Sequence, residues 1–207
     1  MKRLSLIAMV LAGCGGGGGG DDSQAQSDAA TGDTNGSGSA DAAIDSPAGA
    51  AFAVTSPTVT EGAAMMAVNT CDDQDTSPQL DWTGNNMSAM SFAVVLTDKS
   101  NNNLVHWVIY DIPGNLTGLP ADVEKVYAPT DVTGAHQTTS YTAAIRGYAG
   151  PCPPQGGGAH NYEFAVYGVD VATLPGTSMA TSRAQAVPLI TQHMTAKATV
   201  TGMYTRQ

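Results

Sequence analysis

The chain is short of positive charge: eight Lys and Arg stand against eighteen Asp and Glu, a formal net charge of −10. Nucleic-acid binding rests on basic patches that neutralise phosphates, and this composition excludes it. The same shortage excludes docking to an anionic lipid surface by charge alone. Long apolar runs are missing as well. The apolar stretch at the N-terminus, Leu4 to Leu11, is too short to cross a bilayer. Neither an HExxH nor a GxSxG motif is present, so metalloprotease and serine-hydrolase chemistry lack their usual local context. No second linker and no repeat divides the chain after residue 51.

What is present begins at the N-terminus. Met1-Lys2-Arg3 is a basic start, Leu4–Leu11 an apolar core and Leu11-Ala12-Gly13-Cys14 a small-residue cleavage site. Together they predict a secretory signal over residues 1–13. LAGC also matches the bacterial lipobox, so cleavage before Cys14 and lipidation of Cys14 are expected. Several acyl chains, at about 0.8 kcal/mol per buried CH₂, anchor a protein stably. Residues 14–51 are mostly Gly, Ser, Ala, Thr and Asp, with almost no large apolar side chain. Such a segment cannot bury enough surface to offset its conformational entropy. It reads as a disordered tether of about 37 residues with a reach of about 35 Å. Its aspartates at 21, 22, 28, 33, 41 and 45 meet no Lys or Arg within the segment, and their repulsion extends it further. Gly15, not Asp, follows the lipid cysteine, which favours the outer membrane over the inner. Loss of Lys2 and Arg3 with the signal leaves six basic residues against the eighteen acidic ones, a net charge near −12.

From residue 52 to 207, about 155 residues are enough for one domain with a real core. Phe52–Thr55, Ser91–Thr97, Leu104–Ile112, Tyr162–Val169 and Ala198–Tyr204 are short runs rich in Val, Tyr and Phe, bounded by turn formers such as Asn101-Asn102-Asn103. They predict strands. Ala184–Ala196 carries apolar residues at 186, 187, 189, 190 and 194, the spacing of an amphipathic helix. Many strands and one late helix predict a mainly β domain, an antiparallel β-sandwich with peripheral helices. With Cys14 assigned to the lipid, Cys71 and Cys152 are an even pair in an exported chain, where a disulfide is expected; two buried free thiols are the alternative. The bridge would close a loop of about 80 residues, a contribution of about 3–5 kcal/mol in the chain-entropy model.

The stretch Ile145–Asp170 stands apart. A stiff Gly-Pro turn and a flexible Gly156-Gly157-Gly158 run lead into His160 and Tyr162 at the head of an apolar strand. Proline fixes φ and glycine frees it, so this is a shaped loop. Residues two apart on a strand share a face, which sets His160 and Tyr162 side by side.

Residues 150–162, GPCPPQGGGAHNY, resemble the GP-x-PP-x-G…H-x-Y signature of the phosphatidylethanolamine-binding protein family in its bacterial Raf-kinase-inhibitor-like branch. SPQLDWTG (Ser77–Gly84), SFAVVLTD (Ser91–Asp98) and VHWVIYDIP (Val105–Pro113) resemble the same family in the same order. The likeness extends from about Phe52 to Tyr204 and implies a large antiparallel β domain with a small ligand cavity at one end. It places ligand-binding roles on Asp98, His106, His160 and Tyr162, with Pro154 in the shaping loop. Ser100 falls where the family has a second Asp, and Lys99 where it has Pro, so this rim is expected to be less negative and looser.

Imidazole N–H and phenol O–H donors suit phosphate or carboxylate oxygens. The first expectation is a non-enzymatic, membrane-anchored binding protein for a small anion, such as a phospholipid head group. No cofactor and no metal is required. A second expectation is an enzyme, with Asp98, His106 and His160 as a facial metal triad or Ser100 as a nucleophile. A third is a surface domain that binds or inhibits a protein partner. Trp82 and Trp107 are expected in the core or the cavity wall, and His136 and His193, which have no partner motif, as surface or structural residues.

Overall fold

The computed structural model describes residues 50–84 and 88–207. The signal segment, Cys14 and the tether up to residue 49 lie outside the described residues. Among the described residues, nine strands and one α-helix follow in the order β1 (Ala53–Thr55), β2 (Ala63–Ala64), β3 (Leu80–Thr83), β4 (Ser91–Asp98), β5 (Leu104–Pro113), β6 (Gly118–Leu119), β7 (His136–Gln137), β8 (His160–Val169), α1 (Arg183–Gln192) and β9 (Met194–Tyr204). They form two sheets. One has the order β1-β3-β6, the other β2-β9-β8-β4-β5-β7. Every pairing is antiparallel except that of β2 with β9.

The larger sheet is covered on both faces, and its side chains divide by the two-residue period of a strand. Phe92, Val94 and Leu96 of β4 pack with Val54, Leu80 and Trp82 of the small sheet. Ala93 and Val95 point the other way, onto Ala186 and Ile190 of α1. That is why every residue of β4 is buried: it lies inside the sheet with a layer on each side. Trp82 and Trp107 are in the core, as expected.

The helix is shorter than its apolar spacing suggests. It starts where Ser182 N–H donates to Gln185 Oε1 at 2.9 Å, half of a capping box. It stops at Gln192 because the next residues belong to the ladder: Met194 pairs with Val169 and Ala196 with Gly168. His193 marks the change of direction, its Nδ1 donating to Asp170 Oδ1 at 2.8 Å.

Two irregularities matter for the site. Strand β5 carries one extra residue twice relative to β4. Thr97 pairs with Val105 and Leu96 with Trp107, so His106 is the added residue of the first bulge. Val94 pairs with Ile109 and Phe92 with Ile112. Tyr110 and Asp111 therefore face Ala93 alone in the second. Bulges re-aim side chains that strict alternation would send elsewhere.

Candidate functional site

Four of the residues singled out from the sequence meet at one end of the large sheet. Asp98 closes β4 and lies opposite Tyr162 near the start of β8 and Leu104 at the start of β5. Antiparallel pairing puts the end of one strand beside the beginnings of its neighbours, so residues far apart in the chain converge there. His160 Nδ1 donates to Asp98 Oδ2 at 2.7 Å. The other Asp98 oxygen accepts the Ser100 backbone N–H at 2.9 Å. Asp98 is 3 % exposed and His160 16 %, so the pair sits at the lip of the interior, with His160 Nε2 as the ring nitrogen left for other partners.

His106 lies deeper, 2 % exposed. Its Nδ1 is shared between the carbonyls of Ala149 and Gly150, both at 3.2 Å. Both partners are acceptors, so Nδ1 carries the proton and Nε2 is the second, open nitrogen. Burial pushes the His106 pKa below its ordinary value, against the opposing pull of those carbonyls and of Asp98. The neutral ring is thus favoured near neutral pH. Tyr141 lies tilted against it by 33°, ring centroids 3.9 Å apart, and Tyr162 meets it edge-on at 5.5 Å.

The Tyr162 hydroxyl is buried and has no hydrogen-bonding partner among the described residues. Asp98 and the Cys152 backbone are near enough to influence it, but neither completes a bond. Burial, with the negative charge of Asp98 added, holds its pKa well above the usual phenol range. It stays a protonated donor. A buried donor left without an acceptor costs about 1–3 kcal/mol.

The loop supplying the His106 carbonyls is fixed from outside. Cys71 and Cys152 are joined in a disulfide, Cα atoms 5.4 Å apart. Cys71 N–H also donates to Pro151 O at 3.1 Å, Tyr148 Oη to Asn69 O at 2.7 Å and Gly150 N–H to Asp75 Oδ1 at 2.7 Å. Gly150 is the one residue that fits, because a Cβ there would lie 2.2 Å from Asn69 O. The Gly-Pro start of the motif thus has a packing cause: close backbone approach that sets two carbonyls over His106.

Pro154 sits on the exposed side of this loop, its carbonyl accepting the Gly157 N–H at 3.0 Å. Ser100 is exposed too, and its Oγ accepts the Asn161 N–H at 2.9 Å. Lys99 N–H donates to Asn161 O at 2.8 Å. Where the sequence suggests a looser rim, these two bonds tie the β4–β5 turn to the head of β8. Among the described residues, no three of His, Cys, Asp or Glu are grouped as a metal site requires.

Sequence reasoning missed two features. Tyr141, which walls His106, belongs to no recognisable motif. The partner of His136 is the other: His136 Nδ1 donates to Asp111 Oδ2 at 3.0 Å, while Asp111 Oδ1 accepts the Leu174 N–H at 2.8 Å.

Comparisons with known proteins agree with this architecture. The family model "PBP: Phosphatidylethanolamine-binding protein" matches residues 55–205. A UPF0098 protein of Aquifex aeolicus is 33% identical over 163 residues, covering 78% of this chain and 92% of its own. LppC of Mycobacterium tuberculosis, named as a candidate lipoprotein, is 31% identical over 151 residues, covering 71% of this chain and 70% of its own. The crystal structure of Escherichia coli YbcL, described as a member of the mammalian PEBP family, aligns with a TM-score of 0.69 at 28% identity, over 76% of this chain and 100% of that one. In sequence and in fold, this chain belongs to the phosphatidylethanolamine-binding protein family.

Proposed function

We propose that the protein is a non-enzymatic binding protein, held at a membrane by lipid on Cys14, whose Asp98–His106–His160–Tyr162 end captures a small anionic group. A phosphate, a phospholipid head group and a carboxylate share the required chemistry. The observation that carries this reading is the unpaired Tyr162 hydroxyl. It is a permanent donor, buried between two histidines, and an anionic oxygen is the acceptor it lacks. His160, oriented by Asp98, supplies a second donor at Nε2 when protonated. His106 does the same once its Nε2 takes a proton, so anion binding draws a proton into the site.

The enzyme reading has less support. Ser100 Oγ bonds to the Asn161 backbone, and no hydrogen bond joins it to either histidine. The likeness to LppC, together with LAGC at residues 11–14, supports export and lipid anchoring. Gly15 favours the outer membrane as the destination, with residues 14–51 as the tether to the domain from residue 52.

Calorimetric titration of the full chain with phosphoethanolamine, phosphate and acetate at mildly acidic and mildly alkaline pH tests the proposal. Affinity should fall as pH rises, and His160→Ala should weaken binding about tenfold to a hundredfold, as loss of a charge-assisted hydrogen bond of roughly 1.5–3 kcal/mol implies. Binding indifferent to both pH and the substitution would refute the site.

A further inference from the structure

A separate cavity of about 310 Å³ is lined by Asn102, Asn103, Leu104, Val105, Arg183 and Ala184. It lies between the β4–β5 turn and the first turn of α1, and it contains none of Asp98, His106, His160 or Tyr162. The volume is at the lower end of those that hold small molecules. Three of the six lining residues are polar and three apolar.

Charge sets this cavity apart from most of the described surface. Among the described residues, Lys99, Lys125, Lys197 and Arg206 each pair with a carboxylate. Arg146 lies over the Tyr127 ring and donates to a backbone carbonyl. Arg183 pairs with no carboxylate either, in a chain with eighteen acidic residues. Its Nη1 donates to the backbone carbonyls of Thr139 and Ser140. These are dipoles, so the guanidinium keeps its full charge. Partial burial lowers its pKa, as expected for a cation drawn part of the way out of water with no opposite charge beside it. Nε and Nη2 have no partner among the described residues, and they are part of the donor fork that fits a carboxylate.

We propose that this cavity binds a small carboxylate carrying a short apolar segment. Arg183 would hold the carboxylate, with the Asn102 and Asn103 amides beside it. The apolar segment would lie on Leu104, Val105 and Ala184. An inorganic anion would satisfy Arg183 alone and leave that apolar half wet, so the lining selects an amphiphilic acid. This inference stands independently of the Tyr162 site.

The test is a titration of the isotope-labelled full chain, following the side-chain amide signals of Asn102 and Asn103. Hexanoate is the probe, with hexanol and inorganic phosphate as controls. Hexanoate should give saturable shifts at about millimolar concentration, the range of a single charge-assisted anchor. Hexanol and phosphate should bind about tenfold more weakly. Arg183→Gln should also cost about tenfold. Because Arg183 supports two loop carbonyls as well, Ala184→Phe is the second variant: it fills the cavity without touching those bonds and should abolish the shifts. His160→Ala should leave them intact. An absence of saturable shifts, shifts that survive Ala184→Phe, or hexanol binding as well as hexanoate would each overturn the proposal.

Discussion

Strand β5 is bulged at both ends, and the two bulges put the same chemical parts to different uses. Each brings a buried polar residue into an Asp–His–Tyr neighbourhood. At the first, His106 joins Asp98, His160 and Tyr162. At the second, Asp111 joins His136 and Tyr110, on the face covered by α1. Tyr110, like Tyr162, has a buried hydroxyl without a hydrogen-bonding partner among the described residues.

The difference lies in where the carboxylate spends its second oxygen. Asp98 accepts a local N–H, two residues on. Asp111 accepts the N–H of Leu174, 63 residues further along the chain, and pairs with His136, 25 residues further along. Asp111 therefore joins three segments of chain, and it does so with a left-handed backbone (φ 59) that Asp tolerates better than most residues. At the first bulge the long-range ties run instead through the loop at 148–152, and the two histidines keep open nitrogens. One bulge builds scaffold. The other builds a site and lets the disulfide do the holding.

The largest effect should come from that disulfide. Replacing Cys71 and Cys152 together with Ser should lower stability by about 3–5 kcal/mol, read by denaturant unfolding. Hydrogen exchange should show the His106 end losing protection while the Asp111 end keeps most of its own. Equal loss at both ends would erase the distinction drawn between the two bulges.

Asp111→Ala comes next. It strands the Leu174 amide and puts Ala at a positive φ, a cost of about 2–3 kcal/mol. Anion affinity should be unchanged. Asp98→Ala should show the reverse, about 1 kcal/mol in stability but about tenfold in affinity. The pair of variants, measured by thermal unfolding and by titration, decides which aspartate serves which purpose.

Tyr162→Phe is the sharpest test of site against scaffold. The lost hydroxyl has no partner in the free protein, so stability should hold or rise slightly while affinity falls about tenfold. A marked loss of stability with unchanged affinity would make Tyr162 part of the scaffold.

The smallest effect concerns pH. The folded pKa of His106 lies below its ordinary value of 6.5. Above that value the ring is neutral in both folded and unfolded chains and has no effect on stability. As pH falls below 6.5 the unfolded chain takes up the proton first, so the folded state is destabilised until the folded pKa is passed. His106→Gln should flatten this part of the stability–pH curve. A bound anion should oppose the same trend, since it favours the protonated ring.

Much of this was legible in advance, and for identifiable reasons. The runs 91–97, 104–112 and 162–169 are apolar and β-branched enough to read as strands, and the structure lengthens them only by one or two residues, to 91–98, 104–113 and 160–169. The shaped loop is written in glycine and proline, whose backbone constraints are local. The ladder overrode helical spacing at Met194–Ala196, because there β8 offered a partner that the helix could not match.

What the sequence determined by itself was therefore local: strand positions, the loop, the even cysteine pair and the family signature. Only the tertiary structure decided the rest. A bulge is a relation between two strands, so LVHWVIYDIP alone cannot say that His106 and Asp111 are turned out of alternation. The joining of Asp111 to His136 and Leu174, the contact of Tyr141 with His106 and the uncompensated charge of Arg183 depend on which segments the fold brings together. So does the solitude of the Tyr162 hydroxyl, because a missing partner is a property of everything packed around it.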